Sequence, residues 1–189
     1  MNDFPVDYDP EKDKVSLVDY DPLWPEKAAS EIQLVYQCNP NTDLIVDIQH
    51  IGSTAIPGIK SKPIIDLYVG VTSIAEAKCL VEPLKKMSYV YWAENPNPEK
   101  MFFVKDMPPF GSGRTHHIHV VEYTSRYWAA RVLFRDYLRT NPQYAKEYEA
   151  LKIELQAKYP CDREAYTDGK NDFVERILRS AGYQGVVSR

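Results

Sequence analysis

The sequence predicts an α+β fold, in which a mixed β-sheet is flanked by helices and followed by a C-terminal segment of three helices. Two observations support this prediction: strand-length apolar runs alternate with helical patterns as far as residue 123, and helical patterns alone follow. We therefore divide the chain into an N-terminal arm over residues 1–16, an α/β core over 17–123 and a helical segment over 124–189. The helical segment is expected to pack on the core as part of a single compact unit.

The first elements of the core follow from periodicity and from breaker residues. A helix is predicted to begin near Pro22 and to end before Asn39, because apolar residues recur at helical spacing between them. This apolar stripe consists of Trp24, Ala28, Ile32 and Val35. Two strands, over 44–51 and 64–71, are predicted next, with a turn over 52–63 between them.

The later elements are predicted in the same way. Ser73 and Glu76 have the spacing of a capping box, so a helix is expected to open there and to be broken or kinked near Pro83. The remaining predicted elements are strands over 89–93, 100–105 and 115–122, a loop over 108–113, and three helices that end near residues 140, 159 and 181. The last of these helices is expected to end at a C-cap glycine, Gly182.

The composition argues against several functional classes. A net charge of −4 and a pI near 5.6 make nucleic acid an unfavourable partner. No apolar stretch is long enough to span a membrane, and the acidic N-terminus lacks the features of a signal peptide. The three cysteines are widely spaced and odd in number, which favours a reducing, cytoplasmic location over a disulfide framework or a structural zinc site.

The turn between the first two strands has the features of a phosphate-binding site. Gly52 would let an anion approach the backbone, while Ser53 and Thr54 would add hydroxyl donors. Lys62 places positive charge nearby, and Asp66 stands in an apolar strand, where a carboxylate needs a reason to be buried. The alternative is an ordinary tight turn followed by a solvated aspartate.

Histidines in a later strand suggest that this region could also bind a metal ion or act in acid–base catalysis. His117 and His119 alternate onto one face of a predicted strand, a spacing that suits two ligands of one metal ion. With Asp66 on a neighbouring strand, they could bind a divalent metal or act as catalytic acid and base. The alternative is that these histidines are partly buried and bonded to backbone or acidic groups. His116 is expected to face the other way.

Arginines could supply further positive charge. Arg131, Arg135 and Arg139 are four residues apart, so they should line one face of the first C-terminal helix. We expect Arg135, together with Arg114, to neutralise a phosphate. The alternative is a solvated helix face paired with acidic residues.

Six short segments carry a specific resemblance to a known family. They are His50-Ile-Gly-Ser-Thr-Ala-Ile-Pro-Gly58, Lys62-Pro-Ile-Ile-Asp66, His117-Ile-His119-Val120, Phe134-Arg-Asp-Tyr-Leu-Arg139, Tyr148-Glu-Ala-Leu-Lys152 and Ala165-Tyr-Thr-Asp-Gly-Lys170. In this order, and over roughly residues 15–182, they resemble the signature of the GrpB family of bacterial proteins. The resemblance implies a nucleotidyltransferase-like fold, and similar domains occur fused to dephospho-CoA kinase in some bacteria.

The sequence lacks one of the acidic residues found in active nucleotidyltransferases, whose fold the resemblance implies. Those enzymes carry a second acid two residues after the first, and their carboxylates hold two Mg²⁺ ions. Here Tyr68 occupies that position, and the later strand offers histidines instead. One aspartate and two imidazoles suit a softer divalent ion better than Mg²⁺.

Two functional hypotheses follow from these observations. The first is an enzyme that binds a nucleotide or a phosphorylated small molecule and carries out a divergent, metal-assisted nucleotidyl or phosphoryl transfer. The alternative is a non-catalytic module that binds a nucleotide or a CoA-like ligand. A homodimer is also considered, because the tyrosine-rich face of the second C-terminal helix could form either core or a dimer contact.

Overall fold

The computed structural model describes residues 11, 13–41, 43–107 and 113–185. Its strands are β1 (Ile45–Ile51), β2 (Ile65–Val71), β3 (Tyr89–Tyr91), β4 (Lys100–Lys105) and β5 (His116–Glu122). Its helices are α1 (Trp24–Cys38), α2 (Val81–Lys86), α3 (Arg126–Thr140), α4 (Pro142–Lys158), α5 (Arg163–Asp168) and α6 (Asn171–Ser180), with 3₁₀ turns at Ser53–Ala55 and Glu76–Leu80. Residues 1–10 of the predicted arm and 108–112 of the predicted loop lie outside the described residues.

The strands form one mixed sheet in the order β1-β2-β5-β4-β3. Strands β2 and β5 run parallel, whereas the other neighbouring pairs are antiparallel. The chain returns from β2 to β5 through α2 and the β3–β4 hairpin, because parallel neighbours need a long crossover connection. The predicted α+β architecture, a mixed sheet flanked by helices, is therefore confirmed.

One face of this sheet is apolar and carries the main hydrophobic core. Side chains alternate along each strand, so every second residue of β2 and β5 points to this face. The residues that pack here include Leu67, Val69, Phe103, Ile118 and Val120 of the sheet, with Trp24, Ala28 and Val35 of α1 and Leu84 of α2. Burial of these apolar side chains against α1 and α2 sets the register of the central strands.

The opposite face combines a small apolar patch with polar groups. Tyr68 and Val121 pack against Tyr127 and Trp128 at the start of α3. The strand alternation that directs Tyr68 to this face directs Asp66, His117 and His119 there as well. The fold thus turns its ionisable strand residues toward the C-terminal helices rather than toward the main core.

The C-terminal helices also hold the turn that precedes β2. A second core cluster joins Ile56 and Ile59 of the turn to Phe134 and Leu138 of α3, Tyr148 of α4, and Phe173 and Ile177 of α6. Tyr148 is therefore a core residue on the tyrosine-rich face of α4, which is the first of the two alternatives considered for that face. The turn is fixed by packing along its length, so its two ends are positioned precisely enough to support a site.

The last predicted helix, over 162–181, is divided into α5 and α6. Gly169 interrupts it, and Lys170 becomes the residue that precedes the first turn of α6. A Cβ at residue 169 would lie 3.1 Å from Leu155 Cδ1 and still closer to Cδ2, so Leu155 of α4 would have to shift to admit a larger residue there. The predicted end at Gly182 is observed, with a φ of 84°.

The described part of the N-terminal arm is packed against the body of the protein. Asp13 is buried, and its two carboxylate oxygens lie 2.6 Å from the guanidinium nitrogens of Arg114 and Arg163. We call these three residues the arm clamp. Val15 is also buried and packs with Leu155 and Tyr166. Ion pairing and apolar contact together explain why the arm is held.

A buried lysine ties α4 to the turn before β2. Lys152 is 1% exposed, and its ammonium donates hydrogen bonds to the backbone oxygen of Lys60 and, at 3.4 Å, to the Ser61 hydroxyl. Burial lowers the pKa of Lys152 to about 7, and repulsion from Lys170 acts in the same direction.

Replacing Lys152 with methionine is expected to reduce the pH dependence of stability. An unfolded lysine keeps its proton up to about pH 10.4, whereas folded Lys152 releases it near its lowered pKa of about 7. Between these values the unfolded state binds more protons, so the free energy of unfolding rises with pH. Urea unfolding at about pH 7 and about pH 9.5 should show that the variant loses part of this rise. The exposed Lys146→Met variant on the same helix should keep it, and an equal rise in all three proteins would contradict the prediction.

Candidate functional site

Gly52 packs directly against the carboxylate of Asp66. It follows β1 at the point where Ile51 pairs with Asp66 across the sheet. Its backbone has φ of 74° and ψ of −172°, a region that is essentially restricted to glycine. A Cβ at this position would lie 3.0 Å from Asp66 Cγ and would clash with Oδ2. The glycine turn and the aspartate therefore form a single structural unit.

Three ionisable side chains converge near the start of β2 and β5. Asp66 and His117 are direct partners in the parallel pairing, and His117 Nδ1 lies 2.9 Å from Asp66 Oδ1. His119 Nε2 lies 4.0 Å from the same oxygen. Ligand atoms of the three residues lie within 4.8 Å of one another, and no other such His/Cys/Asp/Glu cluster occurs in the described part of the chain. His116 points to the other face, toward Glu31 of α1.

The three groups have defined charges at neutral pH. Although burial opposes ionisation of Asp66, the hydrogen bond from His117 and the nearby positive charge of Lys62 hold the pKa of Asp66 at about 2. Burial lowers the pKa of His119 to about 3 and also lowers the pKa of His117, against the opposing effect of Asp66. Asp66 is thus a carboxylate, and both imidazoles are neutral.

These charges leave one ring nitrogen of His117 with an unused lone pair. An ionised carboxylate can only accept a hydrogen bond, so His117 Nδ1 carries the proton that is donated to Asp66, and Nε2 is the acceptor. His117 Nε2 is buried and has no hydrogen-bond partner among the described residues. A neutral imidazole oriented by a carboxylate, with its second nitrogen free, is the usual preparation of a histidine for metal binding. The residues therefore fit a divalent ion with bonds of about 2.0–2.4 Å.

Aromatic side chains surround the imidazoles, and a second carboxylate is missing. The ring of Phe102 lies 5.1 Å from that of His117 and 4.7 Å from that of His119, and Tyr68 packs 5.1 Å from His119 on the other side. Tyr68 is buried where the resemblance implied an acid. Glu122 is exposed and accepts a hydrogen bond from the backbone N–H of Ile74 on the other face of the sheet.

The predicted phosphate-binding turn divides into a structural part and a part that faces the site. The Thr54 hydroxyl is buried, donates to Ile64 O at 3.1 Å and lies 3.0 Å from His50 Nε2. Burial lowers the pKa of His50 to about 4, so this ring is neutral and donates to Thr54. Thr54 therefore closes the turn rather than offering a free hydroxyl. Gly52 lies beside Asp66, and Ser53, whose side chain is hydrogen-bonded with that of Tyr148, begins the 3₁₀ turn.

Two arginines that were expected to neutralise phosphate have structural partners instead. Arg114 belongs to the arm clamp. Arg135 is 7% exposed, and its guanidinium donates to Asp136, to the Gln49 side chain and to the backbone oxygen of His50. Both side chains have partners within the fold, and their contact with a phosphate stays a prediction.

Other basic residues lie nearer to Asp66. The positive charge of Lys62 lowers the pKa of Asp66, and the predicted contact of Lys62 with a phosphate stays a prediction. Lys170, Arg131 and Lys100 also act electrostatically on Asp66, His119 or one another. Signals for two of them were present in the sequence: Lys170 ends a segment of the family signature, and Arg131 belongs to the arginine stripe, one turn before Arg135. A cleft of about 310 Å³ extends from Lys62 to the arm clamp.

The fold and the Asp66–His117–His119 cluster define an α+β protein that places a carboxylate and two imidazoles beside a glycine–serine turn. The chain belongs to the GrpB family, since the family model described as GrpB protein matches residues 14–180. The expectation drawn from the six signature segments is therefore confirmed.

Individual relatives support this membership. A UPF0157 protein of Pseudomonas aeruginosa is 44% identical over 171 residues, which cover 89% of this chain and 68% of the relative. The crystal structure of the conserved protein GrpB from Enterococcus faecalis superposes with a TM-score of 0.77 at 30% identity, over 88% of this chain and 96% of that one. A dephospho-CoA kinase of Mycolicibacterium paratuberculosis is 29% identical over 190 residues, 88% of this chain but only 46% of the kinase.

A helix that spans a membrane must be long and predominantly apolar. Among the described residues, none of the helices has both the length and the apolar character needed to cross a bilayer.

Proposed function

We propose that this protein binds a nucleotide or another phosphorylated small molecule together with a divalent metal ion, and that it catalyses nucleotidyl or phosphoryl transfer. The observation that carries this proposal is the convergence of Asp66, His117 and His119 beside the Gly52 turn. Ionisable groups with shifted pKa values that meet in one pocket are typical of functional sites.

The ligand set indicates the kind of metal ion. Mg²⁺ prefers six oxygen ligands, whereas imidazole nitrogens suit zinc and other transition-metal ions. One carboxylate and two neutral imidazoles therefore favour Zn²⁺ or Mn²⁺. Such an ion would supply Lewis-acid stabilisation of the charge on a phosphate oxygen.

The chain's own residues would have distinct roles. Asp66 would orient His117 by accepting a hydrogen bond from its Nδ1–H, which leaves Nε2 free as a ligand. His119, held between Phe102 and Tyr68, would be the second imidazole ligand. The backbone N–H groups at the start of the 3₁₀ turn would receive phosphate oxygens, for which Gly52 leaves room.

The comparisons support this assignment without fixing the reaction. The resemblance to nucleotidyltransferases implies nucleotide chemistry at a Gly-Ser turn. The Mycolicibacterium relative carries the name of a kinase, and this chain spans less than half of its length. We therefore take from it only a link to phosphorylated ligands.

Metal binding provides the first test. Calorimetric titration with Zn²⁺ and Mn²⁺ should show one site per chain, and Asp66→Asn or His119→Ala should weaken binding by more than about 10-fold, the lower end of what loss of a supporting group costs. The matched control is His116→Ala, because His116 lies on the same strand but faces Glu31. Absence of binding, or equal binding by all variants, would overturn the metal assignment.

Turnover provides the second test. Phosphorus NMR of nucleotides and candidate acceptors, with protein loaded with Zn²⁺ or Mn²⁺, should reveal a transferred group that Asp66→Asn abolishes. The alternative function, ligand binding without reaction, is favoured by one observation, the buried Tyr68 where a second acid is expected. Saturable nucleotide binding without any product would favour that alternative over catalysis.

A further inference from the structure

Three basic side chains near Asp66 have no ion-pair partner in the described residues. Lys62 precedes β2, Lys170 precedes α6, and Arg131 lies in the second turn of α3. Lys62 and Lys170 both interact electrostatically with Asp66, and Arg131 interacts with Lys170 and His119. No carboxylate of the described chain lies within 4.0 Å of these three cationic groups.

Two of these cations are held against the same aromatic ring. The ammonium nitrogens of Lys62 and Lys170 lie 5.2 Å and 4.6 Å from the centroid of Tyr166, which is 1% exposed. Cation–π attraction positions both groups, but it does not cancel the repulsion between them. Burial and this repulsion lower the pKa of Lys62 well below its usual value and that of Lys170 to about 8.

The other arginines of this region are paired with carboxylates of the protein itself. Arg114 and Arg163 are paired with the buried Asp13 at 2.6 Å. Arg135 lies 2.7 Å from the Asp136 carboxylate. Because the fold supplies acids to these arginines, the lack of an acid beside Lys62, Lys170 and Arg131 indicates that a ligand supplies the negative charge.

A count of charges then indicates how many negative charges the ligand carries. A bound phosphate would favour the protonated forms of Lys62 and Lys170. With both protonated, the three cations and Asp66 leave an excess of roughly two positive charges, and a divalent ion would raise it to roughly four. A monophosphate ester brings only about 1.5 to 2 negative charges. A chain of two or three phosphates matches the charge of the metal-bound site better. In the metal-free site it also offers the three separate cations more oxygen acceptors than a single phosphate does.

We propose that Lys62, Lys170 and Arg131 form the subsite for the phosphate chain of the ligand, and that this ligand is a di- or triphosphate. The inference rests on the proposed function and names its substrate class. The phosphate chain would lie between the sheet and the start of α6, with its reacting end at Asp66.

Inorganic phosphates test this inference directly. With a chelator present, calorimetry should show affinity that rises from phosphate to pyrophosphate to tripolyphosphate. Lys62→Met and Lys170→Met should each weaken tripolyphosphate binding by about 10-fold or more, the cost of a lost charged hydrogen bond. Lys27→Met is the matched control, because Lys27 is exposed and paired with Asp21. Equal affinity for the three phosphates, or unchanged binding by both site variants, would overturn the proposal.

Two further measurements separate this inference from the metal assignment. Zn²⁺ binding should be unchanged or tighter in Lys62→Met and Lys170→Met. If the unmodified protein binds tripolyphosphate but no Zn²⁺, that result would contradict only the metal site. The melting temperature of both variants should be unchanged or higher, because each removes an unpaired cation that repels its neighbours. A clear fall in melting temperature would identify these lysines as structural and would count against the subsite.

Discussion

Replacing Gly52 with alanine is expected to abolish metal binding and to lower the free energy of unfolding by about 3 kcal/mol or more, since a side chain in this glycine-only backbone region is strained. The new Cβ would also clash with Asp66 Oδ2, so either the turn or the carboxylate must move. Displacement of Asp66 would break its hydrogen bond with His117 and release the imidazole that the bond orients. Urea unfolding and Zn²⁺ calorimetry on one preparation would measure both effects.

Gly58→Ala is the control that separates backbone strain from the clash. Gly58 has nearly the same φ, 76°, but a Cβ there would meet no atom within 4 Å. Its substitution should therefore cost only the strain and should leave metal binding intact. A second check is the double variant Gly52→Ala, Asp66→Ala, in which part of the lost stability should return because the carboxylate is gone. Equal losses for the two glycine variants would contradict the direct contact.

Replacing Asp13 with asparagine is expected to lower the free energy of unfolding by about 3–5 kcal/mol, the usual cost of removing one partner of a buried ion pair. Asparagine keeps the shape of the side chain but removes the charge that Arg114 and Arg163 share. Asp19→Asn is the control, because Asp19 is 89% exposed and its pair with Lys60 should contribute less than about 1 kcal/mol. A loss below about 1 kcal/mol for Asp13→Asn would show that the arm clamp does not hold the arm.

The elements that could be predicted from the sequence are those with strong local patterns. Strands β1 and β2 stand out as short apolar runs and β5 as an alternating segment, and α1 stands out because its apolar stripe has helical spacing. The division of the last helix at Gly169 was missed, and the close approach of Leu155 to this glycine depends on how α4 packs, which local sequence does not reveal. A glycine near the end of a helical pattern does not by itself reveal what packs against it.

The candidate site shows the same limit. Placing His117 and His119 on one face requires only strand alternation, but pairing His117 with Asp66 depends on the register between two strands that are distant in sequence. The different surroundings of Arg135 and Arg131 could not be predicted for a related reason. Both lie on one helix face, and only the docking of α3 determines that Arg135 reaches Gln49 and His50 while Arg131 approaches His119.

The arm clamp affects the order in which the chain folds during synthesis. Arg163 donates a hydrogen bond to the backbone oxygen of Asp13, a partner 150 positions away in the chain, and Lys62 lines the cleft between them. Contacts of such long sequence separation form late in folding, because the intervening chain must first be ordered. During synthesis from the N-terminus, the sheet can pair as soon as β5 has emerged, whereas the basic wall of the pocket must wait for α5 and α6. A nascent chain therefore forms its sheet before the basic residues of α5 and α6 are in place beside it.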